Sequence, residues 1–267
     1  MFDQNIVSKF KKLKTPFYYY DLQMLEENLK ILKQLSDHYG YQVHYALKAN
    51  ANGPVLELIS EFGFGADCVS GNEIKRALAY KFPPDKIVFA GVGKTDTELQ
   101  YAIKNDIQCI NCESMVEMNI INTLANNEGK IARVALRINP DLEANTHRYI
   151  TTGKKDNKFG INLSELQNVS QILEEYKNIQ LIGLHAHIGS QIKDMQVFKN
   201  FSIRINEIVK QFEEQGINFA HLNLGGGLGI DYENPETQQL PDYDNYFLMF
   251  HEYLRPSVDQ KIHFELG

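Results

Sequence analysis

Residues 42–48 read QVHYALK, a short run whose side chains alternate between the two faces of a β-strand. His44, Ala46 and Lys48 share one face of such a strand, because successive side chains point to opposite sides. The other face carries the larger apolar side chains, which suit a layer packed against helices. We therefore predict that Lys48 ends this strand on its inward face.

Similar strand-like runs occur eight times along the 267 residues, and amphipathic helical runs separate them. The alternation predicts βαβ units and a parallel sheet, and eight strands favour closure into a (β/α)8 TIM barrel. An open doubly wound sheet is the alternative. The predicted strands are Gln42–Leu47, Ala66–Val69, Ile87–Phe89, Ile107–Asn111, Ile131–Ile138, Ile179–Ile188, Phe219–Leu224 and Ile262–Glu265. The predicted helices are Leu22–Tyr39, Pro54–Glu61, Gly71–Lys81, Asp96–Lys104, Ser114–Asn126, Leu163–Tyr176, Met195–Gln215 and Asp242–Leu254.

Two domains of unequal size are expected. Residues 1–21 are predicted to form an N-terminal segment with one extra short strand, Phe17–Tyr20, and residues 22–267 to form the barrel. Two long connections, Asn139–Gly160 and Gly225–Pro241, are expected to be functional or mobile, because such loops are uncommon in compact domains.

The composition favours a small-molecule enzyme of the cytoplasm. A net charge of −7 argues against non-specific binding of nucleic acid, and no apolar run approaches the length of a membrane span. The N-terminus has no continuous apolar segment typical of a signal peptide. The odd number of cysteines, three, suggests a reducing compartment. Cys109 and Cys112 could form a redox or zinc half-site, but ordinary packing is favoured.

Polar residues collect where the predicted strands end. In β/α barrels the active site lies at the carboxyl ends of the strands, so these side chains are candidates for a shared site. In strand order they are Lys48, Asp67, Ser70, Gly91, Gly93, Lys94, Glu113, Arg137, Asn139, His185, His187, Gly189, Ser190, Gly225, Gly226, Gly227 and Glu265.

Lys48 and the three glycines suggest the chemistry of this site. A lysine held in a barrel mouth loses solvation, and its amine then becomes nucleophilic enough for a Schiff base. The common alternative is a solvated lysine. The turn Gly225–Gly227 follows strand seven, where barrels often bind phosphate, although many glycine turns are merely tight turns.

The histidines and Glu265 leave alternatives open. His185 and His187 share a strand face and could bind zinc, or one imidazole could lie flat against an aromatic cofactor. A hydrogen-bonded core role is the simpler interpretation for His185. Glu265 could pair with Arg137, or it could keep a pyridine nitrogen protonated.

Several motifs together resemble the fold-type III decarboxylases that depend on pyridoxal 5'-phosphate (PLP). The motifs are YALKAN at 45–50, ADCVSG at 66–71, HAHIGSQ at 185–191, GGG at 225–227 and ELG at 265–267, in the family's order. Within the family, HIGSQ at 187–191 and the run from Tyr149 to Gly160 favour a member acting on meso-diaminopimelate. Ornithine, arginine and carboxynorspermidine are the runner-up substrates.

The resemblance implies a role for each matching residue. Lys48 would hold PLP covalently, Asp67 would orient the groups around that link, and His187 would stack on the ring. Catalysis would rest on Lys48 and His187. The expected reaction is decarboxylation to L-lysine and CO2 in a homodimer. The remaining residues expected to bind the cofactor are Ser190, Gly225, Gly226, Gly227, Glu265, Leu266 and Gly267, with Glu265 on the pyridine nitrogen.

The resemblance is interrupted at Gly267, because family members continue with an arginine and a β-rich C-terminal domain. We therefore expect the chain to be a fragment that cannot turn over substrate alone. Two competing hypotheses remain: a non-catalytic PLP-binding barrel, and a zinc hydrolase built on His185 and His187.

Overall fold

Eight parallel strands close into a barrel in chain order, from β1 to β8 and back to β1. This arrangement comes from a computed structural model that describes residues 4–140, 159–166, 169–234 and 240–267. The predicted closed barrel is therefore confirmed, and the open sheet is excluded. The strands are β1 Gln42–Ala46, β2 Gly65–Cys68, β3 Ile87–Phe89, β4 Cys109–Cys112, β5 Ala132–Arg137, β6 Ile179–His185, β7 His221–Asn223 and β8 Lys261–Leu266.

Nine α-helices are seen in the described part of the chain, and they surround the barrel except for the first. Capping explains why two of them have the predicted bounds. Asp21 accepts hydrogen bonds from two amides at the start of α2, and Gly40 ends that helix with a φ of 70°. Thr95 and Glu98 form a capping box at the start of α5. The helices are α1 Gln4–Phe10, α2 Leu22–Tyr39, α3 Gly53–Glu61, α4 Gly71–Ala79, α5 Asp96–Lys104, α6 Met115–Asn127, α7 Val169–Glu175, α8 Met195–Glu213 and α9 Tyr243–Tyr253.

The main apolar core lies between the strands and the helices, and Val43 and Leu47 of the first β-strand region belong to it. The barrel interior is different, because it combines a small apolar cluster with buried polar side chains. His44 lies inside, where its Nε2 is 2.9 Å from Nδ1 of His263. The predicted alternation of faces along residues 42–48 is therefore confirmed. The interior apolar cluster consists of Val88, Cys109, Ala135 and Ile182.

The N-terminal segment differs from the prediction. Residues 17–20 form no strand, and a short helix, α1, precedes them. A strand needs a neighbour to complete its hydrogen bonds, and Tyr18, at 87% exposure, shows how open this stretch is. Phe17 instead packs its ring 5.3 Å from that of Phe10. Aromatic content alone was therefore a misleading signal.

The long connections are only partly described. Residues 141–158 of the first and 235–239 of the second lie outside the described residues. The helix predicted over 163–176 is divided: Leu163–Leu166 is a 3₁₀ turn and Val169–Glu175 is α7, with residues 167–168 outside the description.

The three cysteines are free and buried. Cys109 packs inside the barrel, whereas Cys112 packs in the core between strands and helices. Residues three apart on a strand point to opposite faces, so this C-x-x-C is not a redox pair and the favoured packing role is confirmed. None of the helices in the described ranges combines the length and apolar character needed to cross a membrane.

Candidate active site

Lys48 lies in the turn that follows β1, two residues beyond the last strand residue, Ala46. Its side chain is 58% exposed, and its Nζ lies 3.9 Å from Oδ2 of Asp67. The amide of Leu47 donates to the carbonyl oxygen of Asp67 and so joins this turn to β2. The amine is thus at the barrel mouth, directed toward a carboxyl group of the interior. The predicted loss of solvation is wrong for this arrangement, because the Lys48 side chain is mostly exposed.

Asp67 on β2 is buried, and its side chain is 1% exposed. Neither carboxyl oxygen has a hydrogen-bond partner within the described ranges. Burial raises the pKa of Asp67 well above its usual range, the charge of Glu265 raises it further, and Lys48 opposes the shift. A buried polar group without partners is costly, so this carboxyl group is available to a ligand or a moved Lys48 side chain.

Glu265 on β8 is the most extensively hydrogen-bonded carboxylate of the interior. Its Oε1 accepts from Nδ2 of Asn223 at 2.7 Å and from Nδ2 of Asn111 at 3.3 Å. Its Oε2 lies 3.2 Å from Nε2 of His185. Burial alone would raise the pKa of Glu265, but His185, Asn223 and His187 together lower it below its usual range. Glu265 is therefore an anion held in fixed orientation.

The suggested ion pair between Glu265 and Arg137 is wrong. Arg137 instead places NH1 2.5 Å from Oε1 of Glu113, and both side chains are largely buried. Glu113 also accepts from the amide of Gly91 at 2.9 Å. The error arose because strand parity identifies inward residues but not which of them meet. Arg137 ends β5 and therefore reaches the end of the adjacent β4 more easily than β8.

His187 follows β6 and is half-buried near the glycine turn. The amide of Gly226 donates to its Nδ1 at 3.4 Å, so that nitrogen accepts and the proton of a neutral ring is on Nε2. Burial lowers the pKa of His187 to about 4, against the opposing charge of Glu265. The imidazole is therefore neutral at physiological pH. Ser190, three residues on, is exposed at the same end of the barrel.

The glycine turn after β7 allows the backbone to approach its neighbours closely. A Cβ on Gly225 would lie 2.7 Å from Nδ1 of His187, and one on Gly227 would lie 2.6 Å from the carbonyl oxygen of Gly189. A Cβ on Gly226 would collide with the carbonyl oxygen of Glu265. These three positions therefore exclude side chains.

The amides of this turn differ in their availability. Those of Gly225 and Gly226 already donate to Asn223 and His187. The amides of Gly225 and Gly226 could therefore bind a phosphate only by giving up these partners.

Leu266 and Gly267 complete the wall on the β8 side. Leu266 pairs with Tyr45 across the β8–β1 register. A Cβ on Gly267 would lie 3.2 Å from the Cβ of Ala46, so this residue also adjoins the strand that leads to Lys48.

The residues described above thus lie at or beyond the carboxyl ends of their strands, and they suit a phosphorylated aldehyde cofactor. An exposed amine can bond to an aldehyde, a side-chain-free turn can approach a phosphate, and a buried anion can hold a proton on a ring nitrogen. The unpartnered oxygens of Asp67 and the excluded Cβ positions at 225–227 support this fit.

The zinc alternative finds no ligand set in the described ranges, because no group of three or more His, Cys, Asp or Glu side chains there is placed to hold a metal ion. His185 is already engaged with Glu265. The core role preferred for His185 agrees with its burial and this contact.

Asn111, Asn223 and the Arg137–Glu113 pair were not assigned these roles from the sequence. Asn111 and Asn223 lie on β4 and β7 and are buried polar residues. Their occurrence within otherwise apolar strands could have indicated a role in the site, because a buried amide needs a hydrogen-bond partner.

The site defines a class of protein: a β/α barrel that presents a cofactor-binding lysine at the carboxyl ends of its strands. Residues 22–267 match the family model described as pyridoxal-dependent decarboxylase, pyridoxal binding domain. The chain therefore belongs to the PLP-dependent decarboxylase family, and PLP is the cofactor of this domain.

Relatives within the family are similar over nearly the whole chain. Diaminopimelate decarboxylase of Bacteroides thetaiotaomicron is 49% identical over 262 residues, which cover 98% of this chain and 68% of that protein. The enzyme of the same name from Helicobacter pylori J99 is 40% identical over 239 residues, covering 90% of this chain and 59% of that protein. This chain thus spans only part of the length of its relatives.

Solved structures of family members have the same fold as this chain. The crystal structure of diaminopimelate decarboxylase from Helicobacter pylori, complexed with L-lysine, has a TM-score of 0.85 and 36% identity, covering 98% of this chain and 66% of that one. The arginine decarboxylase of Paramecium bursaria Chlorella virus, at 22% identity and a TM-score of 0.80, covers 99% of this chain and 67% of that one and shares the fold.

Proposed function

We propose that this barrel binds PLP through Lys48 in an enzyme that decarboxylates meso-2,6-diaminopimelate to L-lysine and CO2, the last step of lysine biosynthesis. The observation that carries the proposal is the placement of Lys48 3.9 Å from the buried Asp67. This placement occurs in a chain 49% identical to a diaminopimelate decarboxylase.

Each residue of the site has a proposed part in holding the cofactor. Lys48 attaches it, and Asp67 orients the groups around the attachment. His187 lies against the ring, and Glu265 faces the ring nitrogen. The phosphate is held by Ser190 and by the turn Gly225–Gly227, where the amides of Gly225 and Gly226 exchange their bonds to Asn223 and His187 for the phosphate. Leu266 and Gly267 line the site.

Bound PLP supplies an electron sink for the carbanion that remains when CO2 leaves. The protein side of the reaction depends on charge. Glu265, an anion with three side-chain donors, keeps a proton on the ring nitrogen. His187 is neutral, so it can lie against the ring without adding a positive charge. Lys48 supplies the amine that the substrate displaces, and its exposure leaves room for that movement.

Diaminopimelate is preferred over ornithine, arginine and carboxynorspermidine because relatives at 36–49% identity carry the diaminopimelate name. The arginine and the lysine/ornithine decarboxylases among the solved structures are 22% and 18% identical and support the fold alone.

The test is CO2 release from these four substrates by the complete protein loaded with PLP, with Lys48→Ala as the inactive control. The proposal expects release from meso-diaminopimelate above all. PLP binding without CO2 release from any of them would favour a non-catalytic barrel, and preferential release from another substrate would replace the proposed one.

A cytoplasmic homodimer is proposed for the complete protein. The free, buried cysteines suit a reducing compartment, and the family resemblance implies the dimer. Sedimentation of the purified protein tests this, since a monomer at working concentration would contradict it.

A further inference from the structure

We infer that His185 is a positioning residue that keeps Glu265 ionised, and thereby keeps the PLP ring nitrogen protonated. The inference rests on the proposed function, and it adds a role for a residue that does not itself touch the cofactor in that proposal. It begins from an asymmetry in how the two oxygens of Glu265 are hydrogen-bonded.

Both amide donors serve the same oxygen. Asn223 and Asn111 donate to Oε1 at 2.7 and 3.3 Å. His185 approaches Oε2 at 3.2 Å. His185 is therefore the donor that serves Oε2, the oxygen that neither amide reaches.

The surroundings of His185 determine where its ring proton lies. An ionised carboxylate only accepts hydrogen bonds, so Nε2 of His185 must carry hydrogen to bond Oε2 of Glu265. The opposite nitrogen, Nδ1, is buried and has no hydrogen-bond partner within the described ranges. The side chain as a whole is 1% exposed. The bond from Nε2 to Glu265 is therefore the side-chain hydrogen bond that His185 makes within the described ranges.

Loss of this donor has a specific consequence. A carboxylate in a buried site takes up a proton when its hydrogen bonds to the charged form are removed, because burial favours the neutral form. Burial raises the pKa of Glu265, and the hydrogen bonds from His185 and Asn223 act against burial and lower it overall. A neutral Glu265 could no longer stabilise a proton on the ring nitrogen, and the ring would become a weaker electron sink.

A purely structural role for His185 would give a different result. In that case its replacement would lower stability, but it would leave the protonation of the bound cofactor unchanged. The decisive measurement is therefore the ¹⁵N chemical shift of the ring nitrogen in PLP labelled at that atom and bound to the complete protein. This shift distinguishes a protonated from an unprotonated pyridine without requiring turnover.

Two variants provide a matched pair. In His185→Gln the amide nitrogen takes the approximate place of Nε2 and still reaches Glu265, whereas in His185→Asn it takes that of Nδ1 and does not. We expect a protonated ring in the wild type and in His185→Gln, and an unprotonated ring in His185→Asn and His185→Leu. Asn111→Leu removes only the longer of the two hydrogen bonds to Oε1, which Asn223 still serves at 2.7 Å, and should leave the ring protonated.

A protonated ring in both His185→Asn and His185→Leu would overturn the inference, as would an unprotonated ring in Asn111→Leu. A wild type that binds PLP with an unprotonated ring nitrogen would overturn it while leaving decarboxylation to be measured separately as CO2 release. If the wild type binds no PLP, both the proposed function and this inference are wrong.

Discussion

The Nζ of Lys48 lies 3.9 Å from Oδ2 of Asp67, a separation that permits attraction between the two groups but exceeds hydrogen-bond distance. The pair is unequal, because the lysine is 58% exposed and the aspartate 1% exposed. Lys48 is therefore free to leave Asp67, while Asp67 stays fixed in the barrel interior.

Covalent attachment of PLP should depend on Lys48 and not on other exposed lysines. Lys193 is a suitable control, since its side chain is 57% exposed and its Nζ lies 3.6 Å from Asp231. After reduction with borohydride, the wild type and Lys193→Ala should each gain the mass of one reduced cofactor, and Lys48→Ala should gain none. A cofactor adduct on Lys48→Ala would show that another amine forms the bond.

The glycine turn should not tolerate a methyl group at its centre. Gly226→Ala would place Cβ against the backbone carbonyl of Glu265, and neither partner can rotate away. We expect a loss of about 1–3 kcal/mol in the free energy of unfolding, together with weaker binding of PLP. Urea unfolding and a PLP titration measure the two effects.

Gly93→Ala is the matched control for this substitution. A Cβ at Gly93 meets nothing within 4 Å. Its free energy of unfolding should change by no more than about 0.5 kcal/mol. Equal stability of Gly226→Ala and Gly93→Ala would mean that the turn can shift, and that close approach of the backbone is not what requires glycine there.

Much of the barrel could be predicted because local patterns determine it. Alternation of faces placed His44 inside and Leu47 outside, and capping residues set both ends of α2. The candidate site followed from the rule that strand ends share one face of the barrel, which brought Lys48, Asp67 and Glu265 into one region before any distance was known.

The pairing of side chains could not be predicted in the same way. Glu113 and Glu265 both lie at strand ends, and sequence spacing does not reveal which of them Arg137 meets. That choice depends on the register and stagger of neighbouring strands. The prediction of a strand at Phe17–Tyr20 was wrong for a related reason. Strand propensity does not specify whether a partner strand is present.

Lys94 should be one of the costliest lysines to replace. Its side chain is fully buried, and its Nζ donates to the carbonyl oxygens of Gly91 and Asn111 and to Oε1 of Glu117, at 2.7–2.8 Å. These bonds join the ends of β3 and β4 to α6. Lys94→Met should lower the free energy of unfolding by about 3–5 kcal/mol, because Glu117 would keep a buried charge without its cation. Urea unfolding measures the loss.

Two further variants separate charge from packing at this position. Lys94→Met with Glu117→Gln should recover part of the loss, since the second change removes the unpaired charge. Lys104→Met breaks an ion pair at 3.4 Å whose lysine is 53% exposed, and it should cost at most about 1 kcal/mol. A double variant no more stable than Lys94→Met would attribute the loss to packing.

A chain of three histidines runs through the barrel interior. Nδ1 of His44 lies 3.2 Å from the carbonyl oxygen of Lys86, which only accepts, so this nitrogen carries hydrogen. In neutral His44, Nε2 then accepts from Nδ1 of His263 at 2.9 Å. Nε2 of His263 accepts in turn from Nδ1 of His221 at 2.7 Å. All three rings can be neutral and bonded in this single arrangement.

Acid should therefore destabilise the barrel through these residues. Burial lowers the pKa of His44 to about 4, and it lowers the pKa of His263 and His221 as well. The unfolded chain, whose histidines titrate near pH 6.5, binds more protons than the folded barrel below that pH, so stability falls as pH falls from about 6.5 toward 4. For His44 alone the loss between about pH 7 and pH 5 is about 2 kcal/mol.

His44→Gln should reduce this dependence on pH, because glutamine does not titrate. The appropriate control is His251→Gln on the exposed surface of α9, which removes a histidine from outside the chain of three. Urea unfolding at both pH values gives the comparison, since carboxylates contribute equally to all three proteins. If His44→Gln and His251→Gln lose the same stability between the two pH values, the buried histidines take up protons without unfolding, and the barrel interior is more accessible to solvent than its hydrogen bonds indicate.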